Sequence, residues 1–445
     1  MKIVSLLLLL SAAPAAAMDL SAAASAAVSR SPVLAETRAR REQAQAAGRE
    51  VFWNRWPRLS ARAAAMRGDD PLFAFGELLQ QRRVTQADFS PVTLNRPGYQ
   101  TAVHGSLELG VPLFTGFELT RAGALADLAA DEAKVMGGAA AQAVRLRTTD
   151  AYLRDLSARR FLAELDERIS SSQAAIDSAE RLKKQGLVLS SDHQAALAVL
   201  SGLKAWRARA AAGRAAGRAE LGVLLGSPAP ETIGALNDWQ PPLEDDAALV
   251  AAALSSRPDL RAAGLRTRAA GVRRDGASLS LLPSVDAFAA INNSADGLSS
   301  GAASRLVGVR ASVLFGDPAY ASRRARAKAD ESASVAAGAA AEDSARGEVL
   351  ARAAGLRGLS AALPELAEAL ARARESLKQV RPLYREGRQS VLDVLRAEEA
   401  VARLEETRLE ALYRQRAEWA SLRAAQGLFD DAAVATLTLS LEKSR

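Results

Sequence analysis

Four short segments of the chain alternate between apolar and polar residues, so that every second residue has the same character. They lie at about 56–66, 99–114, 282–292 and 303–315. In the second segment the apolar set comprises Tyr99, Thr101, Val103, Gly105, Leu107, Leu109, Val111 and Leu113. The polar set comprises Gln100, His104, Ser106 and Glu108. Because side chains point to alternate faces of a strand, the pattern predicts β-strands with one apolar face, which could meet either lipid or a soluble core.

Two long segments with few prolines have the spacing of α-helices. Residues 117–185 contain no proline, and a helix of this length would reach on the order of 100 Å. In its counterpart, at about 320–386, apolar residues recur at Leu363, Leu366, Leu370, Ala373, Leu377, Val380 and Tyr384. The same spacing restarts at Val394, Ala397, Val401 and Leu404. These spacings predict a coiled-coil seam, and Pro364 and Pro382 are expected to kink the helix or to mark its end.

Short sequence matches indicate two tandem repeats, and repeats of this kind decide the architecture. Residues 31–34 and 56–59 resemble 257–260 and 282–285, at an offset of 226 residues. Residues 111–116 and 184–186 resemble 312–316 and 385–387, at an offset of 201 residues. The first repeat therefore carries about 25 additional residues, placed at Asp69–Pro97 between its two strands. Each repeat has the predicted order helix, two strands, long helix and returning helix, the last at about 190–226 and 390–429.

The N-terminus has the organisation of a secretory signal. Lys2 supplies a positive charge, residues 3–10 are apolar, and Ala15–Ala17 offers a small-residue cleavage site. The apolar run is shorter than the roughly 20 residues that a membrane-spanning helix needs. Residues 1–17 are therefore predicted to be a signal peptide, and the protein is expected to be exported.

Residue types exclude several classes of function. The chain has no cysteine, which removes disulfides, thiolate metal sites and cysteine nucleophiles. The two histidines, His104 and His193, are far apart and lack the spacing of metal ligands. No glycine-rich phosphate loop or nucleophile elbow is present. We therefore expect no enzyme activity, no metal and no other cofactor.

Charged residues are expected on solvated helix surfaces. The net charge is +7, and the densest basic cluster comprises Arg323, Arg324, Arg326 and Lys328. These residues spread over more than one helix face and have no interleaved aromatic residues, so nucleic acid is not an expected partner. The acidic pairs Asp245–Asp246 and Glu405–Glu406 are likewise expected at helix starts or on solvated faces.

A four-stranded sheet in a membrane would have two open edges. Lipid cannot satisfy the N–H and C=O groups of those edges, so the sheet must close with other chains. Two chains would form an eight-stranded barrel filled by its own side chains, whereas three would form twelve strands around a lumen. A homotrimer is therefore the smallest assembly expected to conduct.

The chain resembles the TolC-type outer-membrane efflux proteins, also called outer membrane factors. The resemblance covers about 20–429 and depends on the duplicated order and on short motifs. These are Ser31-Pro32, Arg257-Pro258, the end of the second strand at 111–116, and the turn segments 185–192 and 386–395. It implies a mixed membrane α/β fold: a trimeric 12-stranded β-barrel with four strands per chain, continued by an α-helical coiled-coil tunnel across the periplasm.

The resemblance also implies partners and a location. The protein would lie in outer-membrane lipid with a large periplasmic part, and act as a passive exit duct in tripartite efflux or type I secretion. A periplasmic adaptor and an inner-membrane RND, ABC or MFS transporter would hand over the substrate, whose identity the sequence does not indicate. The alternative is a periplasmic coiled-coil adaptor or scaffold, which would explain the helices but not the duplicated strand pairs.

The resemblance places functional residues at the two helical tips. Residues that would contact the adaptor are Gly186, Leu187, Gly387, Gln389 and Ser390. Residues that would form the periplasmic gate are Asp192, Asp393, Arg388 and Arg396. Asp393 could pair with Arg388 or Arg396 of the same or a neighbouring chain, and both aspartates would also favour a helix N-terminus. Family members often have an acidic residue at the position of Arg396. The arginine here makes a ring of mixed charge the alternative to a wholly acidic ring.

The expected organisation combines these elements in chain order. It is signal peptide (1–17), first repeat (18–226), equatorial linker (227–243), second repeat (244–429) and tail (430–445). The tail is expected to be loose. The inserted Asp69–Pro97 segment would lie outside the cell, either with its aromatic residues at the lipid interface or as a short helix folding over the barrel mouth.

Overall fold

The computed structural model describes residues 17–185, 188–298 and 301–442. The predicted signal peptide, except for Ala17, lies outside the described residues, as do the tip residues Gly186 and Leu187. Across the described ranges, no helix combines the length and the apolar character that crossing a membrane requires.

The four predicted strands form one antiparallel sheet. They are β1 (Arg58–Gly68), β2 (Gln100–Thr115), β3 (Ser284–Ala295) and β4 (Ala302–Ser312). The sheet order is β1-β2-β3-β4, so β1 and β4 are the edge strands. The sheet register aligns Leu59, Leu109, Ala289 and Val307 in one row across all four strands. The apolar sets predicted from the sequence therefore lie on one face.

This apolar face is bare. Leu107 is 43% exposed, Ile291 50% and Val307 81%. An apolar surface of this kind on a water-exposed sheet would be unfavourable, so it requires an apolar environment or a partner.

The first helix of each repeat is broken at the same place by a proline. Helices α1 (Leu20–Arg30) and α2 (Pro32–Trp53) correspond to α7 (Asp246–Ser256) and α8 (Pro258–Ser278). Proline is well suited to the first turn of a helix, where no intrahelical N–H bond is lost. Asp19 and Asp245 cap α1 and α7 by accepting the amides of Ala22 and Ala248, each at 2.7 Å.

Four long helices form the rest of the two repeats. They are α5 (Glu118–Lys184), α6 (Ser190–Leu225), α9 (Tyr320–Arg385) and α10 (Val391–Ala425). Helix α9 continues through both Pro364 and Pro382. Pro364 therefore does not end the helix, whereas Pro382 lies in its last turn.

The predicted coiled-coil seam joins α9 to α10. Leu370 and Leu377 of α9 form one apolar cluster with Val401 of α10, flanked by Ala373, Ala397 and Leu404. This seam is confirmed. Helix α10 has a second buried stripe with heptad spacing, which the sequence analysis missed: Val391, Leu395, Glu398, Ala402, Glu405, Leu409 and Leu412.

The prediction of a loose tail is wrong. Residues Asp431–Leu441 form helix α11, whose side chains Ala433, Val434, Leu437 and Leu441 are buried. They join the same apolar cluster as Leu20 and Ala24 of α1. These four positions recur at helical spacing, so a helix of three turns can bury one apolar face.

Arg416 of α10 holds this tail helix and the linker together. Its guanidinium donates to the carbonyl of Ser440 at 3.0 Å and to that of Asn237 at 2.9 Å. It also lies over the ring of Trp239. Burial lowers the pKa of Arg416 to about 10, so the side chain stays charged at neutral pH.

The inserted segment of the first repeat is helical. It contains α3 (Pro71–Gln80), a 3-10 turn (Gln86–Phe89) and α4 (Pro91–Asn95). The rings of Phe75 and Phe89 stack edge to face, which joins α3 to the turn. Of the two alternatives for this segment, the one that predicted a short helix is therefore correct about its conformation.

Each of the two compact units contains chain from both repeats. Of the residues that the structure describes, the helical unit comprises those up to Ala39, those within Ala133–Ala263 and those from Gly338 onward. The sheet unit comprises Arg40–Glu132 and Gly264–Ala337. The repeats are thus a feature of the chain order, whereas packing combines equivalent parts of both.

Candidate functional site

The tip between α9 and α10 is a tight turn closed by a capping box. Gly387 has φ +74°, a conformation that side chains with a Cβ rarely adopt. The amide of Arg388 donates to the carbonyl of Leu383 at 2.8 Å, which ends α9. Ser390 and Asp393 then cap α10, since each side chain accepts the backbone amide of the other, both at 3.1 Å.

The carboxylate of Asp393 is directed to the helix cap rather than to an arginine of its own chain. In addition to the amide, it accepts the Ser390 hydroxyl at 2.8 Å. Among the described residues of one protomer, neither Arg388 nor Arg396 forms an ion pair with it, and Arg388 lies 3.7 Å from Glu386. Pairing within the chain is therefore absent from the described part, and pairing with a neighbouring chain stays a prediction.

The tip between α5 and α6 is described only in part. Asp192 lies in the first turn of α6, where a carboxylate is favoured by the helix dipole. Leu189 at its N-cap is 69% exposed, whereas His193 in the next turn is buried.

The structure brings the ends of both helical hairpins together. Their side chains form one apolar cluster that comprises Ile176 and Ala179 of α5, Ala196 and Leu200 of α6, and Val391 and Leu395 of α10. The hydroxyl of Tyr384 also donates to the carbonyl of Ala175 at 3.1 Å. The helix ends that flank the two tips therefore pack against each other.

A buried carboxylate lies one turn beyond this cluster. Glu398 of α10 is fully buried and accepts the hydroxyl of Ser171 at 2.6 Å. It also accepts Arg381 of α9 at 2.6 Å and Arg168 of α5 at 3.2 Å. One carboxylate therefore joins three helices by charge-assisted hydrogen bonds.

A second buried carboxylate contradicts a prediction from the sequence. Glu405 is 3% exposed, although Glu405–Glu406 was expected on a solvated face. Arg374 donates to Glu405 at 3.0 Å and lies 4.0 Å from Glu164 of α5. Burial, together with the neighbouring Glu164 carboxylate, raises the pKa of Glu405, and Arg374 opposes that shift.

The sequence contains a signal that could have revealed these acids. Glu398 and Glu405 follow Val391 at seven-residue spacing, the period of a coiled-coil position. Two acids in a heptad position, with arginines on the facing helices, indicate buried ion pairs. Periodicity based only on apolar residues does not detect them.

Replacement of Glu405 by glutamine should remove a pH-dependent loss of folding stability. Because its folded pKa is raised, the native state binds the proton more tightly, so stability falls as pH rises from the ordinary pKa through the raised one. We expect the thermal midpoint of Glu405→Gln to lose this decline, which begins as pH rises above the ordinary pKa of a glutamate. Glu406→Gln, at the exposed neighbour, is the control and should retain the wild-type profile.

His104 lies on the polar face of β2 and contacts the inserted segment. Its Nε2 lies 2.9 Å from Oε1 of the buried Glu77 in α3. Within the described ranges, no group of three or more histidine, aspartate or glutamate side chains could hold a metal ion.

Comparison with solved structures defines the fold. A membrane protein from Pseudomonas aeruginosa superposes with a TM-score of 0.78 at 21% identity, covering 92% of each chain. The MtrE outer membrane channel of Neisseria gonorrhoeae gives 0.75 at 18% identity, over 93% of this chain and 90% of that one. VceC, an outer membrane protein of Vibrio cholerae, gives 0.74 at 19% identity, over 92% and 97%. The chain therefore has the same fold as these three membrane proteins.

The match to a sequence family covers less of the chain than the structural matches do. Residues 249–428 match the family model for outer membrane efflux proteins, in agreement with the resemblance seen in the sequence. No curated protein matches the sequence significantly.

Proposed function

We propose that the protein is the outer-membrane channel of a tripartite efflux or type I secretion system, and that it works as a homotrimer. The observation that carries the proposal is a four-stranded sheet with one bare apolar face and two unpaired edges. Three copies would pair β1 of each protomer with β4 of the next and close twelve strands around a lumen. Substrate would then pass without chemical change.

The partners follow from the proposed role. A periplasmic adaptor would contact the tip residues Gly387, Gln389 and Ser390, together with Gly186 and Leu187 of the other tip. An inner-membrane transporter of the RND, ABC or MFS type would supply the substrate and the energy. The exported location agrees with the signal peptide predicted at the N-terminus.

Reconstitution into planar lipid bilayers tests the channel. We expect the unaltered protein to fractionate with the outer membrane, to migrate as a trimer in mild detergent, and to give discrete conductance steps. Leu107→Arg places a charge on the bare face and should reduce assembly in membranes, while Ser106→Arg, on the opposite face, should assemble normally. Release with soluble periplasmic proteins would instead support the scaffold alternative.

The gate proposal concerns the Asp393 tip. In a trimer, three copies of Asp393, Arg388 and Arg396 would approach the symmetry axis, where contacts between chains hold the periplasmic end shut. We expect Asp393→Ala to increase the conductance of the closed channel in planar bilayers. Ser390→Ala is the control, because it removes the Ser390 side-chain half of the capping box but leaves the charge of Asp393. Equal effects of both substitutions would contradict a role for the carboxylate.

A further inference from the structure

The inserted segment is fastened to the sheet by polar side chains of α3 and the residues that follow it. Glu77 accepts from His104 of β2 at 2.9 Å and from Ser294 of β3 at 3.3 Å. The amide of Gln81 donates to the carbonyls of Thr101 and Ala295, at 3.0 and 3.3 Å. Two further contacts follow, from Arg82 to the carbonyl of Ala303 and from Arg83 to Asp296. The segment is thus tied to three strands at several points.

These contacts identify the face of the sheet that α3 covers. His104 and Ser294 are paired in the register and belong to the alternate set that includes Ser106 and Glu108. That set is the polar face, opposite Leu107 and Ile291.

Burial supports the same assignment. Ala102 and Ser294 of the polar face are 0% and 5% exposed, and Ala74 of α3 is 1% exposed. On the apolar face, Val307 remains 81% exposed. The segment therefore covers the polar face at the end where β1 connects to β2, which is the end away from the start of α5.

We propose that residues 69–97 fold into the channel and that the copies from three protomers meet there as an apolar constriction at its outer end. The proposal rests on the proposed function, because the bare apolar face must face lipid for the polar face to line the lumen. Residues of this segment then lie on the water side of the sheet, out of reach of acyl chains.

The exposed apolar side chains of the segment indicate what covers them. Leu72 is 87% exposed, Val92 75%, Phe89 59% and Leu79 53%. Inside a lumen, lipid cannot bury these side chains, whereas the equivalent segments of the other two protomers can. The polar contacts with the strands hold each copy in place, so the constriction is a fixed part of the exit that limits the size of what passes.

Removal of the segment tests its effect on conduction. Gly68 pairs with Gln100 in the register, so residues 69–99 can be replaced by Asn-Gly, which forms a tight hairpin turn. We expect this variant to remain trimeric and to conduct at least about three times as well as the unaltered channel. The double variant Leu72→Ser and Val92→Ser should also raise conductance, although it keeps every contact between the segment and the strands.

Cross-linking tests the contact between copies directly, because the chain has no cysteine. A short bis-maleimide should join protomers of Leu72→Cys or Val92→Cys in membranes. Leu107→Cys on the apolar face is the control and should not cross-link, because β2 is an inner strand held apart from its copies.

The outcomes separate this inference from the proposed channel. If the unaltered protein forms no trimer and does not conduct, the proposed function fails. If it conducts but the shortened variant conducts equally, the constriction is overturned. It is also overturned if neither cysteine variant cross-links, or if both react with a membrane-soluble maleimide as Leu107→Cys does, since the segment would then face lipid.

Discussion

Replacement of Glu398 by alanine is expected to lower the free energy of unfolding of the helical unit by about 3 kcal/mol, the lower end of what breaking a buried ion pair costs. The substitution leaves Arg168, which is 8% exposed, without its buried carboxylate, although Arg168 keeps its contact with Glu167. Arg381 and Ser171 lose the same acceptor. The measurement is thermal unfolding of the detergent-solubilised protein at low ionic strength.

The neighbouring residue provides a matched control for this prediction. Glu399 pairs with Arg403 one turn along the exposed surface of α10. Glu399→Ala should therefore cost less than about 1 kcal/mol. Similar losses for the two alanine variants would show that the buried network contributes little to stability. Faster hydrogen exchange near Arg381 in Glu398→Ala only would show that the network holds α9 against α5 and α10.

Replacement of Leu437 by alanine is expected to lower the free energy of unfolding by about 2–5 kcal/mol, the range for removing a buried leucine side chain. Leu437 is fully buried in the cluster shared by α1 and α11, and its removal leaves a cavity. Chemical denaturation of the helical unit measures the loss.

Leu439 provides the control, because it lies on the same short helix but is 66% exposed. Leu439→Ala should change stability by less than about 0.5 kcal/mol. If both substitutions are neutral, α11 is not part of the folded core and the expectation of a loose tail was correct after all.

The two packing faces of α10 have different characters. The face toward α9 is apolar, with Val401 packed against Leu370 and Leu377. The face toward α5 and α6 alternates leucine with buried acids that need arginines from other helices. Apolar packing tolerates small shifts, whereas a buried ion pair has a narrow geometry and is costly to separate. Arg381 and Arg374 of α9 donate to Glu398 and Glu405, so movement of α9 away from α10 would have to break these ion pairs as well as the apolar seam.

Local patterns account for how closely the sequence predicted the strands and long helices. Alternation along β2 and the absence of proline along α5 are properties of neighbouring residues, and both survive in the structure because burial acts on one face of each element. The turn at Gly387 is also predictable from the local sequence, since only glycine adopts its positive φ at low cost.

The sequence by itself determined the duplicated element order, the faces of the sheet and the α9–α10 seam, because each depends on spacing along one segment. Heptad spacing makes Glu398 and Glu405 candidates for burial, but the tertiary structure decided that they are buried, since a charged side chain enters a core only when distant partners such as Arg168 compensate it. It alone decided the docking of α11 against α1. It also decided which face of the sheet the inserted segment covers, because Gln81 finds its acceptors on two strands that are far apart in the sequence.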